Sequence, residues 1–185
     1  LKIFLNPGHC VESNLDPGAV NSAHGVTEAE VVLAIGNKVK EYLERAGVEV
    51  ELLQSNNLCG EYPVMPCITD SVNASDANIA LSLHCNACNR VAKGTEAWIY
   101  ESGGDSYHLA NRLLAQLTIK FPELIDRGVK ESRSLAFLRY TTIPSVLLEI
   151  AFIDNEDDVQ LLMRQQDEIA RCIARGVTDF EHDYY

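Results

Sequence analysis

His9, Glu28 and His84 are the residues of this chain best suited to hold a metal ion together. Two imidazoles and one carboxylate make a catalytic zinc set when a further coordination position is left for water. A fourth residue, Glu149, interrupts the apolar run Pro144-Ser145-Val146-Leu147-Leu148-Glu149-Ile150-Ala151-Phe152. A carboxylate placed beside such a water can act as general base. The chemistry to expect is metal-assisted hydrolysis, provided the fold brings the four together.

The elements that must position them can be read from pattern. Residues 2–6 read as a short buried strand ended by Pro7-Gly8, with His9 directly after it. Residues 78–83 read as another strand, which His84 ends, and Glu149 lies near the end of the strand at 146–150. That last run is apolar enough for burial on both faces. Thr27 and Glu30 stand three apart as in a capping box, so a helix starts there and runs to about 46. Glu28 falls in its first turn, and Glu30 serves the cap. In open α/β sheets ligands gather at the carboxyl ends of the strands, and all four residues are directed to that rim.

Each has a simpler reading on its own. A histidine after a strand is most often a satisfied side chain. Glu28 alone is a favourable charge at a helix N-terminus. Glu149 is harder to dismiss, because an unpaired carboxylate in an apolar strand is costly. The weight lies in their joint placement.

The rest of the chain follows the same alternation. Strands are expected at 48–53 and 95–100, and at 135–138 from the apolar Leu135-Ala136-Phe137-Leu138. Helices are expected at about 67–75, 106–120 and 156–180, the last with a break near Gln165 and Gln166. Residues 55–66 read as loop. Strands alternating with helices imply an α/β fold with a mainly parallel sheet. With no repeat and no low-complexity linker, residues 1–185 read as a single domain, long enough for a full core.

Composition excludes several classes. The chain is 46% hydrophobic and 23% charged, as expected of a soluble globular protein. Its net charge of −12 argues against nucleic acid and against a polybasic membrane contact. No apolar run approaches the roughly 20 residues of a membrane span. The start at Leu1, without Met, is expected of a processed form or an excised domain.

Six cysteines stand at 10, 59, 67, 85, 88 and 172, too few for a disulfide scaffold at this size. Cys59 and Cys67 share one polar stretch, where spacing allows a local bridge in an oxidising compartment; free thiols are the simpler reading. Cys85 and Cys88 form a C-x-x-C without the second pair that a zinc ribbon needs. Cys10 adjoins His9, but neighbours on an extended segment seldom point together. No G-x-G-x-x-G, P-loop or G-x-S-x-G elbow occurs.

Ordered motifs carry a resemblance. They are Asn6-Pro7-Gly8-His9, Asp16-Pro17-Gly18-Ala19, Gly25-Val26-Thr27-Glu28 with Leu33, and Ser82-Leu83-His84-Cys85-Asn86-Ala87. Gly94-Thr95-Glu96, Arg127-Gly128-Val129-Lys130 and Pro144 to Glu149 with Phe152 and Asn155 follow. Together they span nearly the whole chain, which resembles the catalytic domain of zinc-dependent N-acetylmuramoyl-L-alanine amidases, the amidase-3 family of cell-wall hydrolases.

That resemblance implies Zn2+ held by His9, Glu28 and His84, with Glu149 as the catalytic carboxylate. It implies hydrolysis of the amide between N-acetylmuramic acid and L-alanine of peptidoglycan. It implies a three-layer α/β fold whose central, mostly parallel sheet of about six strands is flanked by helices. The expected partner is peptidoglycan, with no nucleic acid and no membrane insertion, at an extracellular or cell-wall location, autolysin and phage endolysin alike. A separate wall-binding domain outside this chain fits the same picture.

The sequence departs from the family pattern at Ile68, where arginine is frequent, and at Cys85, where alanine is usual. The short segment 89–93 leaves no room for an inhibitory helix, so an open site is expected. Asn86 and Arg139 are weaker candidates for the groove, against the simpler readings of a loop brace and a surface ion pair. The rival functions are a zinc exopeptidase using the same ligand types, a wall-binding module without catalysis, and a redox protein built on Cys85 and Cys88.

Overall fold

Alternation of apolar residues along the strands decides how this molecule is layered. The computed structural model describes residues 1–12 and 16–185; positions 13–15, part of the loop expected after Pro7-Gly8, lie outside them. In chain order the elements are β1 (Lys2–Pro7), β2 (Val20–Asn21), β3 (Val26–Thr27), α1 (Glu28–Arg45), β4 (Glu49–Leu52), α2 (Ile68–Ala74) and β5 (Ile79–Asn86). They continue with β6 (Thr95–Ile99), α3 (Gly104–Lys120), β7 (Asp126–Glu131), α4 (Ala136–Tyr140), β8 (Ser145–Phe152), α5 (Glu156–Arg164) and α6 (Gln166–Tyr184).

Six strands form one sheet in the order β4-β1-β5-β8-β6-β7, and β2 and β3 form a small separate hairpin. Pairing is parallel throughout the large sheet except between β6 and β8. The fold is thus a three-layer α/β fold with a mostly parallel central sheet.

Successive strand residues point to opposite faces. Ile3 and Leu5, Ile79, Leu81 and Leu83, and Val146, Leu148 and Ile150 meet the apolar stripes of α1, α3 and α6 in the larger core. The α1 stripe is Val32, Ile35, Val39 and Leu43, at three- and four-residue steps. The opposite face is covered more thinly. Phe4, Ala80 and Leu147 pack there against Ile68 and Val72 of α2 and Phe137 and Leu138 of α4. Farther along this same face the apolar residues give way to Asn6, Ser82, His84, Glu96 and Glu149. Short covering helices leave that rim of the sheet open to a ligand.

One expected strand is a helix. Leu135 is extended, but Ala136–Tyr140 make a turn of helix, with Phe137 and Leu138 buried side by side. Four apolar residues are too few to separate a period of two from one of 3.6. β7 was not expected at all. It is an edge strand of mixed polar residues, exposed at both ends, and has no apolar alternation to read. The last helix breaks at Gln165, as its pattern indicated.

Candidate metal centre

The site begins with a cap. Thr27 accepts from the Glu30 backbone N–H at 3.3 Å, and the Glu30 side chain accepts from the Thr27 N–H at 3.1 Å. This reciprocal pair fixes the start of α1 and leaves Glu28 free of capping duty. Glu28 then lies buried at the rim. Its Oε1 accepts from the Cys85 backbone N–H at 3.0 Å, and its Oε2 from that of Ala19 at 2.9 Å.

β1 delivers His9. Its φ of 61° puts it in the left-handed region, which a non-glycine residue adopts only when held there. His9 Nδ1 lies 2.7 Å from Asp16 Oδ1, and its Nε2 lies 3.1 Å from Glu28 Oε2. β5 delivers His84, whose Nδ1 stands 2.9 Å from Glu28 Oε1. One ligand atom from each of His9, Glu28 and His84 falls within a 4.8 Å group. Three distant stretches of sequence therefore converge on one point.

Two glycines permit that convergence. A Cβ on Gly8 would collide with the His84 ring. A Cβ on Gly18 would stand 2.5 Å from His9 Cδ2 and 2.6 Å from Glu28 Oε2, and Gly18 has a φ of +66° besides. Only glycine suits both demands.

Glu149 occupies the next strand. It pairs in register with His84 on one side and with Glu96 on the other. Its Oε2 is buried and has no hydrogen-bond partner among the described residues. Burial, with the charges of Glu28 and Glu96 nearby, pushes its carboxyl up to about 8. Glu28 goes the other way. Burial works to raise it, but hydrogen bonds from His84 and His9 outweigh burial and hold it well below the usual carboxylate range. Burial alone would lower the His9 imidazole; the hydrogen bond and charge of Glu28, with Asp16, lift it to about 9.

These residues fit a divalent metal of the zinc type. Two nitrogens and one oxygen are a zinc-like donor set. The Glu28 carboxylate is held ionised, and Asp16 takes the second nitrogen of His9, as outer partners of metal-bound histidines do. Asp16 was visible in sequence only as part of a motif. Its contact to His9 crosses a loop and has no local signature.

A second buried carboxylate also escaped the sequence reading of roles. Glu96 Oε2 accepts from Arg127 Nε at 2.6 Å and from Lys130 Nζ at 2.5 Å. Its Oε1 accepts from Asn86 Nδ2 at 3.0 Å and Trp98 Nε1 at 3.1 Å. Burial alone would raise Glu96, but Lys130 and Arg127 hold it below its ordinary value. The signal was present: an acid between Thr95 and Ala97 in a strand, the same sign that singled out Glu149.

Other expectations resolve simply. Asn86 Nδ2 donates to Glu96 Oε1 beside the site. Arg139 is exposed, with its guanidinium 5.5 Å over the Tyr140 ring. All six cysteines are free, including Cys59 and Cys67. Cys10 is buried and bridged to Asp16, which leaves no approach for a nucleophile. Burial and the nearby charge of Glu28 raise the Cys85 thiol well above its ordinary value, so it stays protonated. The connection between β5 and β6 holds no helix.

Comparison with known proteins points one way. A family model described as N-acetylmuramoyl-L-alanine amidase matches residues 3–179. The chain is 31% identical over 185 residues to the N-acetylmuramoyl-L-alanine amidase LytC of Bacillus subtilis (strain 168). That match covers 96% of this chain and 35% of LytC. It is 32% identical to the endolysin of Bacillus phage SPP1, over 96% of this chain and 65% of that protein. Among solved structures, the amidase AmiC2 of Nostoc punctiforme superposes with a TM-score of 0.84 at 26% identity, covering 98% of this chain and 97% of AmiC2. The CwlD amidase of Clostridioides difficile, solved with the GerS lipoprotein, gives 0.84 at 27% identity, covering 98% of each chain.

Proposed function

Because this chain belongs to the N-acetylmuramoyl-L-alanine amidase family, we propose that it is a catalytic domain that hydrolyses the amide between N-acetylmuramic acid and L-alanine in peptidoglycan, using zinc held by His9, Glu28 and His84. The observation that carries the reading is the meeting of those three donors, within 4.8 Å, beside an in-register carboxylate with an oxygen that is unpartnered among the described residues.

When bound, zinc supplies Lewis acidity to the scissile carbonyl and to the attacking water. Asp16 holds the His9 ring so that its Nε2 faces Glu28. Glu28, ionised at the positive end of α1, brings negative charge to the centre. Glu149, with a value raised toward neutrality, is matched to take a proton from water and to give it to the leaving alanine nitrogen. The Glu96 carboxylate, paired with Arg127 and Lys130, ties β6 to β7 beside Glu149.

The domain acts on a long glycan-peptide outside the cell or in the cell wall. Its acidity gives it little attraction of its own for an anionic wall, which is the reason to propose a separate wall-binding domain. Among the described residues no helix is long and apolar enough to cross a membrane.

Mass spectrometry of purified peptidoglycan digested with and without chelator tests the proposal. Release of stem peptides beginning with L-alanine, without new reducing ends or interpeptide cuts, and restored by zinc after chelation, is the expected result. New sugar reducing ends, cleavage within the peptide, or cleavage unaffected by chelator would refute it.

A further inference from the structure

A cavity of about 230 Å³ opens beside the rings of His9 and His84, on the thinly covered face of the sheet. It is smaller than the roughly 300 to 1,000 Å³ of pockets that enclose a whole ligand. Its size suits one part of a larger substrate. Ile68, Phe137 and Leu147 give it apolar walls.

Its polar lining is almost entirely committed. Ser82 Oγ donates to Asn6 Oδ1 at 2.9 Å, and Asn6 Nδ2 donates to the Leu53 carbonyl at 3.0 Å. Ser55 Oγ donates to the Pro66 carbonyl at 2.7 Å. Asn56 is the exception. It is only 8% exposed, and its Oδ1 is buried with no hydrogen bond among the described residues. A buried acceptor left unmatched is destabilising. Asn56 lines the cavity, and no described residue supplies a donor to its Oδ1.

We propose that this cavity is the subsite for a methyl-bearing secondary amide next to the scissile bond, with Asn56 Oδ1 accepting its N–H and the methyl group against Ile68, Phe137 and Leu147. The inference rests on the amidase reading above. Two groups of that substrate have this chemistry: the acetamido group of the sugar, and L-alanine with the peptide N–H that follows it. Asn56 is then a residue that determines specificity and takes no part in proton transfer.

The test uses soluble disaccharide-peptides and the nearly isosteric variant Asn56→Leu. Removing an unmatched acceptor leaves folding stability unchanged or higher, whereas loss of a structural hydrogen bond would lower it. KM for the native muropeptide is expected to rise about tenfold with kcat little changed, the scale of one neutral hydrogen bond to a buried group. Asn56→Asp, which keeps an acceptor, should recover part of the loss. Two analogues identify the group: one with ester oxygen in place of the acetamido N–H, the other with ester oxygen in place of the peptide N–H after L-alanine. The recognised analogue loses about tenfold in kcat/KM with wild type and nothing further with Asn56→Leu; the other loses equally with both.

An Asn56→Leu enzyme that matches wild type on all three substrates would overturn the subsite alone, as would a variant with lowered stability and unchanged KM. A wild type that cleaves peptidoglycan nowhere at the muramoyl-alanine bond would overturn the functional reading and the subsite with it.

Discussion

Replacing Glu149 by glutamine should kill turnover and stabilise the metal-free protein, and the size of the second effect follows from burial. The carboxyl sits at about 8 in the folded chain against an ordinary value of 4.5. For an acid whose folded value is raised, the unfolded chain releases its proton first as pH rises. The penalty on folding is therefore absent below about pH 4.5, grows between 4.5 and 8, and is constant above. Each pH unit in that window costs about 1.4 kcal/mol, so the wild type carries about 3 kcal/mol at pH 7. Glutamine removes it. His9 also titrates with folding: its raised value contributes stability present below about 6.5 and lost as pH rises toward 9, and its charge acts on Glu149, so the comparison reads the two groups together. Urea unfolding of both proteins in chelator, at pH 4.5, 7 and 8.5, measures the difference. It should be near zero at the first pH, about 3 kcal/mol at the second and larger at the third. Activity with zinc should fall by a factor of 10² to 10⁴, the usual reach of a positioned base. Parallel stability curves across pH would show that the Glu149 carboxyl is not raised by burial, and near-normal turnover would show that it is not the base.

Further outcomes follow from the same geometry. His84→Ala should lose both zinc and activity, seen by elemental analysis and by wall digestion. Asp16→Ala should keep the fold but bind zinc about 10- to 100-fold more weakly, because His9 loses the partner that orients it. Zinc affinity of the wild type should rise with pH up to about 9, since the His9 proton must leave before the ring can bind metal; competition against a metal-binding dye across pH reads this. Replacing both Cys85 and Cys88 by serine should leave hydrolysis unchanged, which activity under reducing and oxidising conditions checks.

The sequence makes the large sheet and the candidate centre legible for different reasons. The strands at β1, β5 and β8 are buried on both faces, so their apolar runs stand out, and a lone carboxylate inside one, Glu149, stands out with them. The Thr27–Glu30 cap is local and marks Glu28 as the acid left over. What stayed hidden depends on contacts across space. Asp16 reaches His9 through a loop. Arg127 and Lys130 lie on an edge strand with no apolar alternation, and their meaning appears only when Glu96 is found beneath them. Helix α4 hides in four apolar residues that suit either period. The Asn56 cavity belongs to this class too: the residues 55–66 read as a polar loop, and only the fold turns one of its amides inward.

Zinc K-edge absorption of the loaded protein reads the metal shell itself. Expected are one zinc per chain with nitrogen and oxygen neighbours at about 2.0–2.2 Å and the outer scattering of two imidazoles, and loss of that site in Glu28→Ala. A sulfur neighbour at about 2.3 Å, which would bring Cys10 or Cys85 into the shell, or a shell unchanged in the variant, would contradict that expectation.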